Sequence, residues 1–223
     1  MTSRRHPELD VSPVLLDPEA HRTVPSVNLL RLFDAERPVE LEVGSGKGLF
    51  LINAAQAAPE HHFLGVELSR KYARLAAERI IRRGIANVRI WPGDARSLLA
   101  RAVPDASVHA VHVYFPDPWW KKRHKKRRVV TSALVAEIVR LLEPGGRFHI
   151  ATDVEEYFGV IGDLVAAEPA LVATAIPEPR QPAHDLDYLT NFERKFRLEG
   201  RVIHRACYEK RRDELPTESK EGS

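Results

Sequence analysis

The sequence predicts an α/β protein, a Rossmann-like fold with a seven-stranded, mostly parallel sheet and helices on both faces. Three observations carry that expectation. Short apolar runs alternate with longer amphipathic segments, the signature of repeated strand–helix units. One such run, Val39–Val43, passes straight into a glycine-rich turn and then an apolar helical stretch, as a ligand-binding βαβ unit begins. Acidic residues also stand at the ends of several strands, where an open parallel sheet binds its ligands.

Composition sets the limits. The 223 residues suit one domain, and 43% hydrophobic with 29% charged residues is ordinary for a globular protein. We expect an N-terminal arm over 1–24, rich in Pro, Arg and His, a single domain over 25–212 and a solvated tail over 213–223. The single cysteine, Cys207, allows no internal disulfide. No apolar run reaches a membrane-spanning length of ~18 residues, and no apolar segment follows the start. A soluble, cytoplasmic protein without a membrane partner is expected. The net charge of +3 hides an asymmetry: residues 121–128 carry seven Lys and Arg and no acid, leaving 27 bases against 31 acids elsewhere. The basic charge is local, which favours a dedicated surface for a polyanion.

In chain order, Ser26–Phe33 reads as a short helix, Val39–Val43 as the first strand and Leu49–Ala58 as the helix behind it. His62–Glu67 is the second strand, and residues 69–83 form an amphipathic helix with Tyr72, Leu75, Ala76 and Ile80 inward. A third strand over Asn87–Trp91 leads through Gly93-Asp94 to a helix over 95–102. Val108–Phe115 is the fourth strand, Val130–Leu142 a helix, Glu143–Gly146 a turn and Arg147–Ala151 the fifth strand. A helix over 154–167, a strand over Leu171–Ile176, a loop over 177–189, a helix through Leu198 and a last strand over Arg201–Tyr208 complete the pattern.

The glycine turn Gly44-Ser45-Gly46-Lys47-Gly48 is neither a phosphate loop, since glycine follows the lysine, nor a dinucleotide fingerprint, since position 49 is Leu49. What stands is Glu-x-Gly-x-Gly-x-Gly, with Glu42 inside the strand. This resembles motif I of the class I S-adenosylmethionine-dependent methyltransferases. Their cofactor offers a cationic sulfonium and an ammonium group, and a carboxylate near the turn complements them. Glu67, at the tip of the second strand, can accept from ribose hydroxyls. Asp94 suits either the adenine amine, as that resemblance implies, or a helix N-cap.

The fourth strand ends in Phe115-Pro116-Asp117-Pro118-Trp119-Trp120, followed by the basic run Lys121–Arg128. The prolines hold Asp117 on a stiff, non-helical corner. A charge run alone is as often a solvated face as a binding surface, but this corner favours function. With Ala151-Thr152-Asp153 and Thr190-Asn191-Phe192-Glu193-Arg194-Lys195-Phe196, it closely resembles the bacterial tRNA (guanine-N7-)-methyltransferase family over about residues 38–210. Trp120 departs from the Pro or His usual there. The resemblance implies methyl transfer from S-adenosylmethionine to N7 of a guanine in the tRNA variable loop. It further implies that Glu42, Glu67, Asp94 and Asp117 contact the cofactor, with Gly44 and Gly46 in the turn, and that Asp117 also stands at the reaction centre. Lys121, Asp153 and the segment Thr190, Asn191, Phe192 and Glu193 would contact the RNA.

The chemistry fits those residue types. Guanine N7 carries a lone pair and no proton, so in-line displacement needs no general base, and positioning supplies ~7–11 kcal/mol of the barrier. The N1 and 2-amino donors of guanine call for acceptors, and Asp117, Asp153 and Glu193 are the candidates. Of Trp119 and Trp120, one is expected in the core and one in the pocket, where it would stack on a base. Cytosine-C5 chemistry would need a nucleophilic cysteine, and Cys207 lies in the last strand, away from the site. An exocyclic-amine methyltransferase is the enzymatic alternative, disfavoured because the second proline and the tyrosine of its motif are missing. A binding protein that has kept the fold, or a small-molecule methyltransferase, would be distinguished by activity on tRNA. No metal is expected, since His109 and His112 give no three convergent ligands. No obligatory protein partner is evident, and monomer and homodimer both remain open.

Overall fold

The computed structural model describes residues 9–19, 31, 33, 37–119, 121–176 and 190–212. The elements are β1 (Val39–Val43), α1 (Leu49–Ala57), β2 (His62–Glu67), α2 (Arg70–Ile81), β3 (Val88–Pro92), α3 (Ala95–Ala102), β4 (Val108–Tyr114), α4 (Ser132–Leu141), β5 (Leu142–Thr152), α5 (Glu155–Ala166), β6 (Leu171–Thr174), α6 (Asn191–Leu198) and β7 (His204–Lys210). They form one seven-stranded sheet in the order β3-β2-β1-β4-β5-β7-β6. Strands β1 to β5 pair in parallel, and β7 runs antiparallel to both β5 and β6. The expected fold class is the one found. Strand order reverses between β1 and β4, and a crevice opens at such a point beyond the C-terminal strand ends.

Two apolar cores flank the sheet. On one side Phe50, Leu51 and Ile80 from α1 and α2 pack with Phe63 and Ile90. On the other, Leu134, Ile138 and Ile161 from α4 and α5 pack with Val111, Phe148 and Ile150. Each such side chain, fully buried, contributes roughly 1.5–3 kcal/mol. Asp94 and Thr131 accept from backbone N–H groups at the starts of α3 and α4, which fixes where those helices begin.

The structure differs from expectation at four places. The N-terminal arm, expected over 1–24 outside the domain, in part joins the sheet: Val11 and Val14 are buried, Ile90 N donates to Val14 O at 2.8 Å and Leu16 N to Ile90 O at 2.9 Å. That segment pairs with the outer edge of β3, whose open backbone groups need partners. On α2 the buried stripe is Ala73, Ala76, Ala77 and Ile80, while Tyr72 is exposed beneath the Lys47 ammonium, 5.6 Å from its ring centroid. The small stripe lets α2 lie against the turn; a Cβ on Gly48 would come within 2.9 Å of Ala76 Cβ. The turn expected over Glu143–Gly146 lies within β5, as a bulge where the β4 partners shift from Val108↔Leu142 to Ala110↔Arg147. The last strand begins at His204 and not at Arg201, after Gly200 ends α6 with φ 70°. The bulk of the expected Ser26–Phe33 helix, Trp120, the 177–189 loop and the 213–223 tail lie outside the described residues.

Candidate active site

The site is built on the C-terminal ends of β2, β1, β4 and β5, four neighbours in the sheet. Glu42 lies in β1, with its side chain sealed from solvent and its Oε2 without a hydrogen-bond partner among the described residues. Burial, together with the charge of Glu67, pushes the Glu42 carboxyl well above the usual carboxylate range. Glu67 ends β2; its Oε2 accepts from Gly46 N at 2.8 Å and its Oε1 from Ser69 N at 2.7 Å. One carboxylate thus straps the glycine turn down while the other sits beneath it unsatisfied. Gly44 and Gly46 adopt φ 82° and 53°, the left-handed region that glycine enters without a steric penalty, and a Cβ on either would meet nothing. The turn therefore presents bare backbone to open space.

Gly93 N donates to Glu67 O at 2.9 Å, which brings the end of β3 to the same edge. Asp94 follows it and performs the N-capping role: it accepts from Arg96 N at 3.0 Å and also pairs with the Arg96 guanidinium, at 2.8 Å from Oδ2 to Nη2. Those hydrogen bonds hold the Asp94 carboxyl below its ordinary range.

Beyond β4 the chain makes a strained corner. Phe115 and Trp119 take φ 51° and 42°, a region that costs bulky residues on the order of 1–3 kcal/mol. Between them Asp117 is exposed on the corner. The corner is tied twice, by Phe115 N donating to Ala151 O at 2.7 Å and by Arg128 Nε donating to Pro118 O at 2.7 Å. Arg128 also covers the Tyr157 ring at 4.8 Å, so this member of the basic run is drawn into the fold and is not a free phosphate contact. Lys121, Arg123 and Arg127 remain exposed around a short 3-10 helix over Lys122–Arg127, with the Arg127 guanidinium 5.1 Å from the centroid of Trp119. Trp119 is half-buried and has the His124 ring edge-on at 5.6 Å.

Asp153 follows β5 and is ion-paired with Arg201. Thr190 caps α6, accepting from Glu193 N at 3.0 Å. Glu193 is buried between Arg205 of β7 and Arg197, whose Nη2 lies 2.9 Å away. Phe115 approaches Phe196 at 5.5 Å and Phe192 at 6.4 Å, which seats α6 against the Asp117 corner. Phe192 is 54% exposed. Glu42, Glu67, Asp117 and Asp153 therefore share one edge of the sheet, with Thr190–Glu193 brought to its β4–β5 half.

Sequence reasoning missed Arg197, Arg201 and Arg205, the cations that hold the β4–β5 carboxylates. Only Arg197, one helical turn after Glu193 on α6, carried a local signal. It also missed a polar row under the site: Glu40 bridges His61 Nδ1 at 2.6 Å and His112 Nε2 at 2.7 Å, and His112 Nδ1 meets the Tyr114 hydroxyl at 2.9 Å. Cys207 is buried, its thiol pushed up by burial, with the nearest His149 nitrogen 4.0 Å away. It is a packing residue and a poor nucleophile.

The buried, unpartnered Glu42 carboxylate and the open glycine turn fit a cationic, nucleoside-bearing ligand such as S-adenosylmethionine. Fold and site together define a class I methyltransferase. A family model described as a putative methyltransferase matches residues 36–206. The aminoglycoside resistance methyltransferase NpmB1 shares the fold, with TM-score 0.55 at 19% identity, covering 79% of this chain and 89% of that one. The chain is 43% identical to a tRNA (guanine-N(7)-)-methyltransferase of Rhodopirellula baltica, over 92% of its own length and 78% of that protein's. It is 37% identical to the protein of the same name from Alkalilimnicola ehrlichii, over 83% and 78%. The chain belongs to the tRNA (guanine-N(7)-)-methyltransferase family.

Proposed function

We propose that this protein methylates N7 of a guanine in the variable loop of tRNA, with S-adenosylmethionine as methyl donor. The observation that carries the reading is the division of one acid-lined edge into two halves. At the β1–β2 half, Glu42 and Glu67 stand beneath and beside an open glycine turn; at the β4–β5 half, Asp117 and Asp153 follow the ends of their strands, with an exposed basic strip after Asp117. Bound there, S-adenosylmethionine supplies an electrophilic methyl group.

Glu42 and Asp117 would face the cationic part of the cofactor, Glu67 the ribose, and Asp94 the adenine end once its Arg96 partner yields. The guanine N7 lone pair is the nucleophile, and no side chain has to remove a proton. Asp117 and Asp153 would accept from the N1 and 2-amino donors and hold N7 in line. Thr190, Asn191 and Phe192 would border the base, while Glu193, locked by two arginines, holds that border in place. Lys121 and its exposed neighbours would bind phosphates, which positions tRNA without reading its sequence.

Incubation with labelled S-adenosylmethionine and tRNA lacking 7-methylguanine tests this directly. Label mapped to guanine N7 in the variable loop is the expected result. A label on an exocyclic amine or on no nucleotide would refute it.

A further inference from the structure

We infer that Arg201 gates the base-binding carboxylate: in the resting protein its guanidinium occupies Asp153 in place of the guanine edge, and its return to Asp153 displaces the methylated base. The inference rests on the assignment of Asp153 to guanine made above.

The two guarded carboxylates of this half differ in a telling way. Glu193 is buried, at 3% exposure, and both of its partners are half-buried, Arg205 at 16% and Arg197 at 28%. That cluster is locked. Asp153 is also withdrawn, at 8%, but its partner Arg201 is 41% exposed and comes from the connection between α6 and β7. The Arg201 guanidinium lies 4.3 Å from the centroid of Phe196, a shelf that guides the side chain without enclosing it. Arg201 can therefore leave Asp153 without unpacking the fold, whereas Arg205 cannot leave Glu193.

The chemistry of the exchange is matched. A guanidinium presents parallel N–H donors in a planar fork, and the N1–H and 2-amino edge of guanine presents a similar pair. A carboxylate as withdrawn as Asp153 needs donors at all times, and Arg201 supplies them until guanine does. The displaced cation finds a new anion in the RNA backbone, so binding trades one ion pair for another. Methylation then leaves a positive charge on the base. A cationic base holds a carboxylate more strongly than the neutral substrate did, so a site without a competing cation would retain its product. Arg201 is that competitor.

The test compares Arg201→Met, which keeps apolar bulk on Phe196, and Arg201→Gln with the wild type and Asp153→Asn. For both Arg201 variants the KM for tRNA should fall by roughly fivefold, as expected when a competing closed state is removed. The single-turnover rate should hold while steady-state kcat falls and a burst of product appears. Methylated tRNA should bind the variants more tightly than the wild type, and Arg201→Lys should restore most of the steady-state rate. A raised KM with a slowed single turnover in both Arg201 variants would overturn the gate and make Arg201 a direct substrate contact. Wild-type kinetics in both, with Asp153→Asn slow in single turnover, would also remove the gate but leave the Asp153 assignment standing. If Asp153→Asn itself has wild-type KM and single-turnover rate, the assignment of Asp153 to the base fails, and the gate with it.

Discussion

The two halves of the acid-lined edge solve the same problem by opposite means. At the β1–β2 half, Glu67 is fixed by two backbone N–H groups and Glu42 is left with an unpartnered oxygen under a bare turn. At the β4–β5 half, Asp153 and Glu193 are each held by arginine. The first half is preformed and electrostatically unsatisfied, so a cationic ligand completes it. The second is satisfied in advance, so a ligand must displace or work around what is there. A small cofactor that binds on every turnover suits the first design. A large polyanion, which brings its own phosphates to receive a displaced cation, suits the second.

The largest expected effect separates chemistry from folding. Asp117 is exposed on a corner tied by Phe115 N and by Arg128. Asp117→Ala should lower kcat by at least ~10²–10³, the scale of losing one preorganised charge at a reaction centre. Its melting temperature should stay that of the wild type. Activity within a few-fold of wild type would show that the corner is architecture alone.

Next come the preformed carboxylates. Glu67→Ala removes the strap on Gly46 and the ribose acceptor together, so it should weaken cofactor binding by ~10-fold or more while tRNA affinity changes little. Glu42→Gln should also weaken cofactor binding, yet stabilise the ligand-free protein. The sign follows from linkage. An acid whose folded pKa is raised contributes stability that is full below its ordinary value of 4.5 and is lost as pH rises toward the folded value. At neutral pH the wild type therefore carries that penalty, and the variant does not. Calorimetry without ligand at pH 5 and pH 8 checks it: the difference in melting temperature should be larger at pH 8.

A smaller effect per residue is expected on the basic strip. Replacing Lys121 and Arg123 with Ser should flatten the salt dependence of tRNA binding by about one unit of slope each. Arg128→Ser should behave differently, because Arg128 braces Pro118 and covers Tyr157. It should cost ~1 kcal/mol or more of stability by loss of a charge-assisted hydrogen bond, with little change in slope.

How much of this was legible differs between the halves. Strand β1, the Gly44–Gly48 turn and Glu67 are local features: a strand, a turn and a strand tip lie where their own residues put them. The β4–β5 half depends on contacts between segments far apart in sequence. That Arg201 meets Asp153, and Arg205 meets Glu193, follows from β7 running antiparallel beside β5, with Ala151 opposite Arg205. Periodicity reports which face a residue occupies, not which partner it finds across the sheet. The same limit explains Tyr72: positions 72, 76 and 80 and positions 73, 77 and 80 fit a helical stripe almost equally well. Ala76 is inward in either case; where it meets Gly48 the helix lies close to the turn, and the small side chains of Ala73 and Ala77 fit that approach where a tyrosine ring would not.

The smallest effect concerns the polar row beneath both halves, and it asks whether they are insulated from it. His149 stacks on His112, with ring centroids 4.8 Å apart, and burial, with the nearby His112, lowers its pKa from 6.5 to about 3. A base lowered in this way stays neutral in the fold while the unfolded chain takes up a proton. Its stabilising contribution is present above pH 6.5 and is lost as pH falls toward about 3. Glu40 adds a separate loss: burial alone would raise it, but its hydrogen bonds and charge interactions with His112 and His61 bring it to about 2, so its contribution fades only below 4.5. Between pH 6.5 and 4.5 a decline is therefore expected from His149 before Glu40 adds its own. His149→Phe keeps an aromatic ring against His112 and has no proton to bind, so its melting temperature should fall less steeply over that interval. Cofactor affinity at pH 7.5 should be the same in both proteins, because His149 is neutral there and lies below the turn and not in it. A change in affinity would join the row to the β1–β2 half and end the division between a preformed edge and an independent floor.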